Sequence, residues 1–189
     1  MKIHYVTSNS GKFAEASHIL SQGKPIDIIH SSLALDELQG SLYEIIKHKA
    51  MQAYNHFQEP CVVDDGALSC DCLGGLPGPY IRPFLEALGD VGLWKLIEHY
   101  EHRTCTVSCA IAFVKDAGSE PKIFEGRIQG TVVAPRGGRK LSKHSWSAIV
   151  QPVGCETTFA EMTLEEASQF TARNKALCQL RDFLKQGSQ

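Results

Sequence analysis

A mixed α/β fold is what this sequence predicts, on three observations. β-prone runs alternate with helical patterns at the start of the chain, as in Lys2–Val6 followed by Phe13, Ala16, Ile19 and Leu20 on one helical face. The middle of the chain is rich in strand-like segments, and long helical patterns stand at 42–57 and 164–184. The apolar run Cys61-Val62-Val63 ends on Asp64-Asp65-Gly66, and strand ends are where α/β proteins place their chemistry.

Taken in order, Lys2–Val6 reads as a first strand and Thr7–Lys12 as a polar turn. Ser10 or Asn9 is positioned to cap the helix that follows. Ile26–His30 reads as a second strand, and Leu42–Phe57 as a helix with Ile45, Ile46, Ala50 and Ala53 on its apolar side. Cys61–Val63 is a strand expected to stop at the two aspartates. Tyr80–Leu88 and Val91–His99 read as helices divided at Gly89-Asp90. Cys105–Val114 and Lys122–Ile128 are strands around a turn, and Gly130–Pro135 reads as another. Arg136–Ser145 is a basic loop, Trp146–Pro152 is extended, and Leu164–Leu184 is expected as one long helix.

A chain of 189 residues suits one domain, or two small lobes sharing a core. With 43% hydrophobic and 21% charged residues it has the composition of an ordinary globular protein. A net charge of -2 gives no basic footprint for nucleic acid, and no run reaches the length of a membrane helix. The seven cysteines are scattered through apolar stretches without the usual zinc spacing. The first residues carry no signal-peptide pattern. Reduced thiols and a cytoplasmic location are therefore expected.

Several segments could carry chemistry. Thr7-Ser8-Asn9-Ser10-Gly11-Lys12 offers hydroxyls, free backbone N–H groups and a lysine where a strand meets a helix, which suits a phosphate; it equally suits a plain capped turn. Asp64 and Asp65, adjacent on a strand, must point to opposite faces, so one faces a given site and the other supports it. Glu37 and Glu44 could supply a further carboxylate, and a carboxylate pair with a polyphosphate is sufficient for magnesium. Leu73–Tyr80 holds three glycines and two prolines, as a packing loop or as one that lets backbone approach a ligand, with Arg82 just beyond. Arg136, Arg139, Lys140 and Lys143 make a basic run, and Trp146 beside it is either core or a surface for stacking on a base.

In this order the segments resemble the inosine triphosphate pyrophosphatase family. The resemblance spans about residues 3–184 and is carried by Val6-Thr7-Ser8-Asn9 with Lys12, and by Leu35–Glu44 with Glu37. It is most specific in Asp64-Asp65-Gly66 with Leu73–Ile81, and continues through Gly126-Arg127, Ala134–Gly137, Gln151-Pro152 and Thr157–Met162. It implies a single two-lobed domain over residues 1–189: an elongated mixed sheet flanked by helices, with a cleft between the lobes. It implies a homodimer that uses Mg²⁺ to cleave a nucleoside triphosphate between the α and β phosphates. The substrates implied are non-canonical purine nucleotides such as inosine and xanthosine triphosphates. Glu37 and Asp65 would hold the metal. Asp65, with Asp64 as second choice, would activate the water. Thr7, Ser8, Asn9, Lys12, Lys49 and Arg82 would meet the triphosphate, and Trp146, Ser147 and Arg173 the base.

The chain departs from the family pattern at the base-reading end. Ser147 stands where the family has an aspartate, Ala167 where it has a lysine, and Ala172 where it has a histidine. Relaxed or redirected base selectivity is the expectation, because a site that hydrogen-bonds one purine edge rejects bases that leave its groups unpaired. The alternative is a nucleotide-binding regulatory paralogue with little turnover.

Overall fold

A computed structural model describes residues 2–23, 25–138 and 145–186. Its sheet has seven strands: β1 (Lys2–Val6), β2 (Asp27–Ser31), β3 (Cys61–Cys70), β4 (Pro77–Gly78), β5 (Thr104–Val114), β6 (Lys122–Val132) and β7 (Val150–Pro152). The order is β2-β1-β3-β5-β6-β7, with β4 paired to β3. β1 runs parallel to β2 and β3, whereas β4 on β3 and β7 on β6 are antiparallel, so the sheet is mixed. The helices are α1 (Ser10–Leu20), α2 (Leu42–Phe57), α3 (Ile81–Ile97), α4 (Leu164–Phe170) and α5 (Ala172–Gln186).

By contacts the chain forms two compact units. The first comprises Met1–Asp65, Cys109–Gly126 and Arg173–Gln189, and the second Gly66–Ser108 and Arg127–Ala172. In the first, Val6, Cys61 and Val63 pack with Ala110, Ala112 and Val114 against Ile46, Ala50, Ala53 and Tyr54 of α2. That apolar face is the one the helical spacing marks. α2 starts at a capping box: Ser41 Oγ accepts from the Glu44 amide, and the Ser41 amide donates to Glu44 Oε2 at 2.8 Å. Glu44, a candidate carboxylate by position, is thereby committed to the helix start.

In the second unit the glycine-rich loop folds back on β3, pairing Leu68 with Gly78 and Ser69 with Pro77. Several of the sequence motifs there hold one another in place. Arg136 Nη2 donates to Gln151 Oε1 at 2.6 Å, and Thr158 Oγ1 donates to the Arg136 carbonyl. Gly137 sits at φ 77°, and a Cβ there would lie 2.8 Å from the Ala160 carbonyl carbon, so only glycine fits.

Four expectations need correction. β3 does not stop at the aspartates but runs through them to Cys70, because beyond them both faces are buried again, at Ala67 and Leu68. Gly130–Val132 is the end of β6 and not a separate strand. Within 146–152, residues 147–149 turn and strand begins at Val150. The last helical pattern is broken at Thr171, whose φ of -72° and ψ of 142° are extended, giving α4 and α5. The division at Gly89 holds: its φ of 68° and ψ of 178° interrupt α3. Arg139, Lys140, Lys143 and His144 of the basic loop lie outside the described residues.

Candidate functional site

The parallel register of β1 and β3 pairs Val6 with Val63, so Thr7–Asn9, where β1 ends, and Asp64-Asp65, within β3, lie next to each other along that pair. Asn9 caps α1, its Oδ1 accepting from the Gly11 amide at 2.9 Å and the Lys12 amide at 3.2 Å. The Asn9 amide donates to Thr7 Oγ1 at 3.1 Å. A Cβ on Gly11 would approach Asn9 Oδ1 to 3.2 Å, so glycine keeps this turn tight. The result is a helix start at the strand edge, with Lys12 in its first turn.

Lys12 reaches β3. Its Nζ lies 3.3 Å from Asp64 Oδ2, and Arg173 Nε donates to the same oxygen at 2.7 Å. Arg173 Nη1 donates to Glu15 Oε2 at 3.0 Å. The Asp64 side chain is 0% exposed. Burial pushes its pKa up, but the neighbouring Lys12 and Arg173 outweigh that and hold it below the ordinary carboxylate value. Its Oδ1 has no hydrogen-bond partner among the described residues. Sequence reasoning did not single out Glu15; its signal was its place three residues after Lys12, on the same helical face.

Asp65 points the other way, as strand alternation requires. Its side chain is 21% exposed, and Oδ2 accepts from Lys49 Nζ at 2.7 Å. Glu37 Oε2 lies at the same 2.7 Å from that nitrogen. Two carboxylates thus converge on one cation position, which the Lys49 ammonium fills. Burial lowers the Lys49 pKa, but Asp65 and then Glu37 more than offset it, so the ammonium is held above its ordinary value. The donor set suits a hard divalent cation, since Mg²⁺ takes one or two carboxylates and completes its shell with waters and substrate oxygens. Among the described residues no group of three or more His, Cys, Asp or Glu side chains is arranged to hold a metal alone.

The remaining candidates belong to the second unit. Arg82 forms an i,i+4 pair with Glu86 at 3.0 Å and is 71% exposed. Trp146 is half-buried, edge-on to Phe159 with ring centroids 5.5 Å apart. Ser147 is fully buried, and Ser145 Oγ lies 2.8 Å from its hydroxyl. Ala167 and Ala172 are buried as well. A cavity of about 420 Å³ lined by Asp71, Cys72, Tyr100, Glu101 and His102 involves no residue singled out for chemistry.

The sequence model of the Ham1 family matches residues 3–183. The chain belongs to the Ham1 family. Two relatives named inosine triphosphate pyrophosphatase resemble it over nearly all of both chains. That of Ajellomyces capsulatus is 41% identical over 182 residues, covering 96% of each chain. That of Aspergillus fumigatus is 38% identical, covering 100% of this chain and 97% of its own. A HAM1 protein from Coxiella burnetii superposes with a TM-score of 0.86 at 22% identity, covering 98% of this chain and 99% of its own, which establishes the Ham1 fold. A structure titled nucleoside-triphosphatase / dITP/XTP pyrophosphatase from Mycobacterium abscessus superposes with a TM-score of 0.73 at 26% identity, covering 95% and 98%.

Proposed function

We propose that this protein is a nucleoside triphosphate pyrophosphatase acting on non-canonical purine nucleotides, and that it uses Mg²⁺. The observation that carries this reading is the convergence of Glu37 and Asp65 on one cation position, with Lys12 on the neighbouring Asp64. The names of the Ham1 relatives supply the reaction class.

In this reading Thr7, Ser8, Asn9 and the start of α1 present hydroxyls and amides to phosphate oxygens, and Lys12 and Lys49 supply compact positive charge there. Glu37 and Asp65 hold the metal, which when bound neutralises phosphate charge and orients the triphosphate. Asp65 accepts a proton from the attacking water. The water oxygen bonds to the α phosphorus, the bond from that phosphorus to the bridging oxygen breaks, and the bridging oxygen leaves with pyrophosphate. Asp64, buried and bonded to Arg173, holds the cations around it in position and is the lesser candidate for base. Arg82 and Trp146 are proposed ligand contacts, for phosphate and base respectively.

Relaxed base selectivity belongs to the same proposal. Ser147 is buried beside Ser145, Ala167 and Ala172 offer no polar group, and Arg173 is engaged by Asp64 and Glu15. A cytoplasmic homodimer completes the reading; all seven thiols are free, in keeping with a reducing compartment.

Pyrophosphate release with Mg²⁺, measured across inosine, xanthosine, adenosine and guanosine triphosphates, is the test. The expected result is turnover of inosine and xanthosine triphosphates, with the others within about tenfold in kcat/KM, since without those polar groups no more than about 1.4 kcal/mol of discrimination remains. Adenosine and guanosine triphosphates ignored would overturn the selectivity claim. Binding of triphosphate without release of pyrophosphate by wild type or Asp65→Ala would instead identify a binding module.

A further inference from the structure

Lys49 is held by two carboxylates that the proposed reaction needs for something else. The residue sits in the middle of α2, whose start is fixed by the Ser41–Glu44 box and whose neighbouring turns are anchored by Ile46, Ala50 and Ala53. Its backbone is therefore set, and what can move is the four-carbon stem. The side chain is 8% exposed, and its Nζ is 2.7 Å from both Glu37 Oε2 and Asp65 Oδ2. Glu37, by contrast, is 61% exposed and precedes the helix. The ammonium ties that segment to β3 and separates two negative charges that would otherwise repel.

A divalent ion ligated by the same two oxygens would lie about 2.0–2.1 Å from each. An ammonium 2.7 Å from both occupies the same space and carries the same sign of charge. The two cannot share the position. We propose that Lys49 is a built-in counter-cation: it keeps the Glu37–Asp65 pair assembled, is displaced by the metal, and then delivers its charge to the triphosphate. This rests on the metal and substrate assignments made above. A displaced buried ammonium without a new partner is costly. Metal and triphosphate binding are therefore positively coupled through Lys49, each making the other's entry easier.

Lysine acylation read by mass spectrometry on the wild-type protein follows the side chain directly. Lys49 is expected to be protected in the protein alone and several-fold more reactive at saturating Mg²⁺. Protection should return when an α,β-methylene analogue of inosine triphosphate is added with Mg²⁺. Calorimetry of Mg²⁺ binding without nucleotide gives a second readout. Lys49→Met, which removes the competing cation, is expected to bind Mg²⁺ about tenfold more tightly than wild type. Lys49→Arg, which keeps the charge, should stay close to wild type. If Lys49 stays protected at saturating Mg²⁺, the metal uses other oxygens and the displacement is overturned. Mg²⁺ binding by Lys49→Met that is equal to wild type, weaker or undetectable overturns it too. Wild type that releases pyrophosphate while Lys49 stays protected contradicts this inference alone. Wild type that releases none from any triphosphate contradicts the proposed function.

Discussion

Replacing Asp65 by asparagine keeps the shape of the side chain and removes the charge that attracts a metal and accepts a proton. A fall in kcat of about 10²–10⁴-fold is expected, with little change in the unfolding midpoint. An unchanged kcat would remove Asp65 from the chemistry. Asp64 has the opposite profile. Its carboxylate is buried against Lys12 and Arg173, so Asp64→Ala leaves both cations without their shared partner. A loss of about 3 kcal/mol in denaturant unfolding is expected, and a loss below about 1 kcal/mol would show that the network is not structural. Strand alternation made the different facing of the two aspartates legible in the sequence. Their partners were less so. Arg173 is 109 residues from Asp64 along the chain, and no local pattern announces that contact.

At the scale of elements, α2 carries the most consequence, because Lys49 rides on it. Ser41→Ala removes half of the capping box and should cost about 1 kcal/mol of stability, read as a shift in urea midpoint at constant m-value. An unchanged midpoint would mean that packing of Ile46, Ala50 and Ala53 alone fixes the helix. This helix was fully legible, from Leu42 to Phe57, because its apolar spacing is unambiguous. The C-terminal region was not. Apolar periodicity runs across Thr171, but Thr163 and Glu166 form their own capping box and the chain turns extended before α5 begins. Periodicity reports which residues are buried and is blind to a one-residue break in direction. The overrun of β3 past Asp65 has a related cause: two charges look like a stop, yet one is neutralised by buried partners and the other lies on the opposite face.

For the molecule as a whole, the α/β class follows from local sequence, whereas the mixed sheet order depends on pairings between distant segments. The buried thiols give the whole fold a pH signature. Burial pushes Cys105 and Cys109 from the ordinary thiol value up to about 12. These groups keep their protons in the folded state while the unfolded chain releases them, so their stabilisation is complete below about pH 9 and is lost as pH rises towards 12. Each contributes a slope of about -1.4 kcal/mol per pH unit in that window, and Cys109→Ala should flatten the measured slope by one such increment. An identical slope in the variant would contradict the assignment. Which phosphate bond is cut can be read from the products by phosphorus NMR with inosine triphosphate and Mg²⁺. Inosine monophosphate and pyrophosphate in equal amounts are expected; inosine diphosphate with inorganic phosphate, or intact triphosphate, would rule out cleavage between the α and β phosphates.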